Sequence, residues 1–137
     1  MVNQQFSFAV HILAVLAVHR GVVDSRTLAR SVNTNPVVIR RLLLALRAAG
    51  LIETQAGKNG GANLARDPRR ITLLQIYDAV EPRPVLALNE RQAARHCFVS
   101  CNIKNVMATV AEGAETAVRK HLGGITLHRL QQKIRRG

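Results

Sequence analysis

Asn33-Thr34-Asn35-Pro36-Val37-Val38-Ile39-Arg40-Arg41 is the stretch on which the fold turns. Its first four residues are turn formers in the order that opens a helix. Thr34 or Asn35 can cap the helix with a side-chain oxygen, and Pro36 suits the first helical position, where an N–H would lack a partner anyway. From Pro36 to Ala49 the apolar residues Ile39, Leu42, Leu43 and Leu46 form a single stripe. Val37, Arg40, Arg41 and Arg47 lie off that stripe, and Gly50 supplies the stop.

Working upstream, Asp24 or Ser25 caps a shorter helix, about Arg26 to Ser31, with Leu28 and Ala29 facing inward. Val22-Val23 reads as a very short strand, and Gly21 ends a helix from Asn3 to His19. That helix carries Phe6, Val10, Leu13, Leu16 and Ala17 at helical spacing. Phe8, Ile12 and Val15 widen the stripe, which predicts burial on more than one side.

Working downstream, Leu51 to Thr54 and Ala62 to Ala65 alternate as paired strands around a glycine-rich tip, Gly57-Lys58-Asn59-Gly60-Gly61. Thr72 caps a short helix, Leu73 to Val80, and Glu81-Pro82-Arg83-Pro84 opens a linker reaching Ser100. Ser100 is placed to cap a long helix through Leu122. Its stripe of Ile103, Val106, Val110, Ala114, Ala117 and His121 makes a seam one partner helix wide. Gly123-Gly124 ends this helix, and a short basic helix runs from Thr126 to Arg136. The expected division is 1–81 as a DNA-reading unit, 82–100 as a linker with a sensor segment, and 101–137 as a dimerisation helix with a short basic C-terminal helix.

Composition agrees with that reading. Of 137 residues 47% are apolar but only 3% aromatic, with no Trp, so Leu, Val, Ile and Ala must fill the core. Such a core favours a mainly α fold with a small two- or three-stranded β wing. Twenty Lys and Arg against eight Asp and Glu give a net charge of +12, which points to a polyanionic partner, duplex DNA before a membrane surface. No apolar run reaches the ~18 residues of a membrane span. Phe6 to Val18 lacks a basic leader and is interrupted by His11, so it reads as a helix of the mature protein rather than a signal peptide. Two cysteines without a leader suggest reduced thiols and a cytoplasmic protein.

Helix, helix, tight turn, helix, strand, glycine-tipped hairpin, strand is the order of a winged helix-turn-helix, followed here by a long C-terminal dimerisation helix. A major groove about 12 Å wide admits one α-helix, whose first residues reach the base edges. Those residues are Thr34, Asn35, Val37, Val38, Arg40 and Arg41. Arg can bond guanine bidentately, Asn can pair with adenine, and Val can meet a thymine methyl. Lys58 and Asn59 at the hairpin tip face a phosphate or the adjacent minor groove. Arg40 and Arg41 alone would read equally as the solvated side of a core helix. The capped turn, the wing and the charge together favour DNA.

These residues, with Leu46-Arg47-Ala48-Ala49-Gly50-Leu51-Ile52, the wing, Leu64-Ala65-Arg66 and Ile71 through Glu81, resemble the BadM/IscR/NsrR family of transcription regulators, nearest its YwnA-like branch. The resemblance implies a homodimer with crossing C-terminal helices, each subunit reading half of a palindromic operator, acting as a repressor. It places the six helix residues named above on the segment that contacts bases and phosphates. Several relatives carry Glu where this chain has Arg40, so a cationic donor replaces an acceptor and a different base preference is expected.

Sensing members hold a [2Fe–2S] cluster on three cysteines near the start of the dimer helix. This chain offers only His96, Cys97 and Cys101 there, so no cluster is expected. A zinc site is not expected either, since three donors crowd into six residues and no fourth is fixed. Cys97 and Cys101 remain open to two readings, small packing residues or a thiol redox pair bridged within or between subunits. The identity of a small-molecule or redox effector is left open. The chain carries no Gly-rich phosphate loop, HExxH motif or carboxylate pair, and is expected not to be an enzyme. The competing function is a winged-helix protein-interaction adaptor that reads no DNA sequence.

Overall fold

The computed structural model describes residues 4–137; Asn3, where the sequence reading starts the first helix, lies outside them. The chain divides into two compact units, Met1–Pro82 with Leu122–Gly137, and Arg83–His121.

The first unit begins with α1, Gln5–His19, whose Ile12, Leu13 and Leu16 are buried. α2, Ser25–Val32, and α3, Pro36–Ala48, follow, and Leu28, Ile39 and Leu46 bury against the same core. Asp24 caps α2 by accepting the Thr27 N–H at 2.7 Å. Between α2 and α3 the chain reverses at Asn33, which takes a left-handed φ of 62°, a conformation Asn tolerates better than most residues. Gly50, at φ 76°, ends α3 as expected: its N–H reaches Arg47 O and the Leu51 N–H reaches back to Leu46 O. Both Leu46 and Leu51 are buried, so the stop is also a packing contact.

β1, Ile52–Gln55, and β2, Gly61–Leu64, pair antiparallel with Ile52 opposite Leu64 and Gln55 opposite Gly61. Each strand is displaced by one residue from the sequence reading; β1 starts one residue later because the Leu51 N–H is already spent on closing α3. Val23 adds a single bridge to Ala62, so the expected third strand is one residue long. α4, Leu73–Val80, carries a full capping box between Thr72 and Gln75. Phe6 of α1 meets Tyr77 of α4 edge to face, with ring centroids 5.5 Å apart.

The second unit holds most of α5, Phe98–Gly123, whose last two residues belong to the first unit. α5 starts two residues before Ser100. Ser100 does not cap it; its Oγ accepts the Ala94 N–H at 2.7 Å, and Cys97 takes the position before the first helical residue. Among the large apolar residues of α5, Phe98, Val99, Ile103, Val106, Met107 and Val110 are all exposed. Of the expected stripe, Ile103, Val106, Val110, Ala117 and His121 are exposed and Ala114 is half-buried, while polar residues around them on this helix are exposed as well.

α6, Leu127–Arg136, is capped by Thr126 and packs in the first unit rather than with residues 101–121. The sequence reading grouped 101–137 as one segment, but Leu127 is fully buried in the first unit. Backbone bonds from Leu73 N–H to Ile125 O and from Leu127 N–H to Ile71 O fasten the tail beside α4. Gln131 adds a side-chain bond to Ala17 O of α1.

Candidate nucleic-acid interface

The first turn of α3 is set by Asn35. Its Oδ1 accepts the Val37 N–H at 2.8 Å, and its carbonyl accepts from Val38 and Ile39. Thr34, the other candidate cap, is half-buried, and its N–H donates to Ala29 O at 3.0 Å. The cap leaves the Asn35 Nδ2 free to donate but engages the acceptor that a bidentate adenine contact would use. Asn35 is thus placed first as a positioning residue.

Beyond the cap, α3 presents Val37, Arg40, Arg41 and Leu44 to solvent, while Ile39, Leu42, Leu43 and Leu46 face the core. Positions 37, 40, 41 and 44 follow three- and four-residue steps, so they share one face. Val38 is half-buried and stands at the edge of that face. Leu44 is 67% exposed, more than Val37 at 49%, and sequence reading missed it. The stripe Ile39, Leu42, Leu43 and Leu46 already leaves Leu44 out, but nothing in its type singles it out as a contact residue. Only the phase of the helix separates it from its neighbours.

The wing tip is built on two glycines. A Cβ on Gly60 would stand 2.2 Å from Gln55 O, and one on Gly61 would stand 2.3 Å from Val23 O. No other residue allows the chain to turn this tightly and still accept the Val23 bridge. The turn leaves Lys58 and Asn59 exposed at the tip.

Between the tip and α3 lies a groove lined by Arg26, Arg30, Arg40, Lys58 and Asp24, with Leu43 and Thr54 among the other walls. Its volume is about 710 Å³. Sequence reading missed Arg26 and Arg30, although their four-residue spacing puts both on one side of α2. The Thr27 backbone N–H holds the Asp24 carboxyl below the usual carboxylate range, so it stays ionised at the groove edge. Four cations still outnumber it. Arg26, Arg40, Arg41 and Lys58 make no ion pair among the described residues. Unpaired cations around an open groove can neutralise phosphates, and the exposed face of α3 offers donors and apolar contacts to base edges.

Cys97 and Cys101 are both exposed, so neither packs inside the chain. The Ser100 N–H donates to Cys97 Sγ at 3.4 Å, and the Cys101 thiol donates to Ala94 O at 3.7 Å. His96 precedes them with a left-handed φ of 64°. This donor set does not fit a four-ligand iron–sulfur cluster. It holds two thiols and one imidazole, and among the described residues no three His, Cys, Asp or Glu side chains converge on a metal-sized site. Among the same residues no helix is long and apolar enough to cross a membrane.

A family model described as Rrf2, iron-dependent transcriptional regulator, matches residues 2–133. The chain is 33% identical over 127 residues to YwnA of Bacillus subtilis (strain 168), described as an HTH-type transcriptional regulator, covering 93% of this chain and 94% of YwnA. A solved structure of a protein described as a transcriptional regulator from Lactobacillus plantarum superposes with a TM-score of 0.85 at 29% identity, over 98% of this chain and 91% of that one. T. potens IscR shares the fold, with a TM-score of 0.72 at 24% identity over 98% and 88% of the two chains.

Proposed function

Because the chain belongs to the Rrf2 family of transcriptional regulators, we propose that it reads duplex DNA sequence-specifically as a homodimer and represses from a palindromic operator. The observation that carries this reading is the groove where Arg26, Arg30, Arg40 and Lys58 stand together beside the exposed face of α3. In this reading α3 enters the major groove, with Arg40 and Arg41 on base edges and Val37 and Leu44 on thymine methyls. Asn35 caps the helix start while Thr34 and Val38, half-buried, anchor it, Arg26 and Arg30 neutralise phosphates, and Lys58 and Asn59 reach the backbone or minor groove beside the tip.

The exposed stripe of α5 supports the homodimer. At 26 residues the helix is about 39 Å long, and six large apolar side chains lie exposed over its first half. A second copy of the same helix offers the matching surface, as two-fold pairing requires. Repression is proposed because, in this reading, occupancy of the operator by the α3 face and the α5 pairing is the output the described residues can supply.

Two features of the cysteines support a thiol switch within this reading. Both are exposed, and the Cys101 N–H bonds to Cys97 O at 3.0 Å, which sets them one turn apart where the seam helix begins. Peroxide converts a thiolate to a sulfenic acid, and attack by the second thiol gives a disulfide and water. Side chains one helical turn apart meet S–S geometry badly, so a bridge within the chain would unwind the first turn of α5, and a bridge between subunits would not. The two-thiol donor count supports a regulator working without a resident cluster or zinc.

Arg40→Ala tests the reading. On a duplex selected from a random library it should cost about 1–3 kcal/mol and relax one base preference. Equal weakening on every duplex would make Arg40 a phosphate clamp. No effect on any duplex would remove α3 from the interface and favour the adaptor.

A further inference from the structure

A second basic recess lies in the first unit and shares no residue with the groove beside α3. Arg20 enters it from the end of α1, Arg66 from the exit of the wing, Arg69 from the turn that follows, and His128 and Arg135 from α6. Among the described residues Asp67 is the sole acidic one on its wall, and Arg69 already neutralises it at 2.7 Å. Arg20, Arg66 and Arg135 make no ion pair among the described residues. Like charges gathered from elements this far apart in sequence repel one another, and an anion between them would reverse that cost.

The recess also has an apolar wall, formed by Leu16, Ala17 and Leu64. Its volume is about 460 Å³, within the ~300–1,000 Å³ of small-molecule sites. We infer that this recess binds a small organic anion, a phosphate or carboxylate on an apolar frame, with the guanidinium groups of Arg20, Arg66 and Arg135 on the anionic group and Leu16 and Leu64 against the frame. Guanidinium forks suit both anions, and the apolar wall separates an organic ligand from the bare ion. His128, half-buried in the wall, adds a ring N–H donor.

Titration of the whole chain with phenyl phosphate and with inorganic phosphate, at one ionic strength held with chloride, tests this. Phenyl phosphate should raise the melting temperature progressively with concentration and inorganic phosphate less. Arg66→Ala/Arg135→Ala should weaken phenyl phosphate binding by about tenfold or more, whereas Arg40→Ala/Lys58→Ala should leave it unchanged. In wild-type protein the His128 ring resonances should move along the same titration, a readout that needs no variant. Unmoved His128 resonances would overturn the site, as would loss of the effect in Arg40→Ala/Lys58→Ala, which would put the anion in the DNA groove. Equal shifts with both phosphates would overturn the organic frame. A drop in random-duplex affinity in Arg66→Ala/Arg135→Ala equal to that from Lys58→Ala would return these arginines to the nucleic-acid footprint.

Discussion

Val23 and Ala62 exchange both backbone hydrogen bonds, each 2.9 Å long, so the loop before α2 is fastened to the second strand of the wing. The bond pair joins the wing to the two helices that carry the groove. It exists because Gly61, beside Ala62, lets Val23 O approach to where a Cβ would stand.

Gly61→Ala should therefore force that bridge apart. Strain at a φ of 157° and the lost pairing should together cost about 2 kcal/mol or more of stability, read by urea denaturation. The same variant should weaken binding to all duplexes, since Lys58 loses its fixed place. Gly57→Ala, where a Cβ meets nothing within 4 Å, should cost less despite its φ of 100°. Equal costs for the two would show that the Val23 contact contributes nothing.

Asn35→Ala removes the cap of α3 and should cost about 1 kcal/mol of stability. Asn35→Asp should restore the stability, because its carboxylate also accepts from Val37. If Asn35 acts only by positioning, DNA affinity should track stability across the two variants, apart from a uniform loss in Asp from repulsion of phosphate. A change of base preference in Asn35→Ala would instead make Nδ2 a base contact.

Val106, 58% exposed on α5, should lie in the homodimer seam. Val106→Glu would place a charge in an apolar contact at a cost of about 3 kcal/mol, near a hundredfold in dissociation constant. Sedimentation velocity should show dimer for wild type and monomer for the variant at the same concentration, with the helical circular dichroism of the first unit retained. A monomer in both would contradict the homodimer.

The Asp67 carboxyl should titrate low. The side-chain hydrogen bond from Arg69 holds it at about 2, against an ordinary value of 3.8. Because the folded value is lowered, the pair stabilises the fold above pH 3.8, and that contribution is lost as pH falls toward 2. The group is exposed, so the effect on stability is small and the titration itself is the better readout. Carboxyl resonances should show the low midpoint in wild type and a return toward 3.8 in Arg69→Ala.

The winged helix-turn-helix was legible because its signals are local. Asn35-Pro36, Gly50 and Thr72 are caps and stops whose chemistry acts within a few residues, and each sits where the sequence placed a helix boundary. What escaped reading depends on contacts distant in sequence. The tail looked like an appendage because Leu127, Leu130 and Ile134 are interleaved with cations; the burial of Leu127 goes with backbone bonds to Ile71 and from Leu73 to Ile125, which are distant in sequence from one another. Arg26 and Arg30 look like the solvated face of a short helix until the wing brings Lys58 to the same groove. Ser100 was a plausible cap by type, but the turn at His96 lets the helix begin at Phe98 and turns the hydroxyl back to Ala94. Leu44 was left out of the core stripe by helical spacing, but an aliphatic side chain carries no chemical mark of a contact residue, and only its exposure beside Arg40 and Arg41 supplies one.

Selection of a random-sequence duplex library by the full chain, followed by competition of the winning duplex against excess unselected DNA, tests the central claim most directly. The account predicts a two-fold symmetric site with half-sites about 34–36 Å apart, one helical turn, or a multiple of that. Binding to it should resist the competitor by about 1,000-fold or more. No enriched motif, with full competition by unselected DNA, would mean that only the net charge of +12 had been measured, and would contradict a sequence-specific regulator.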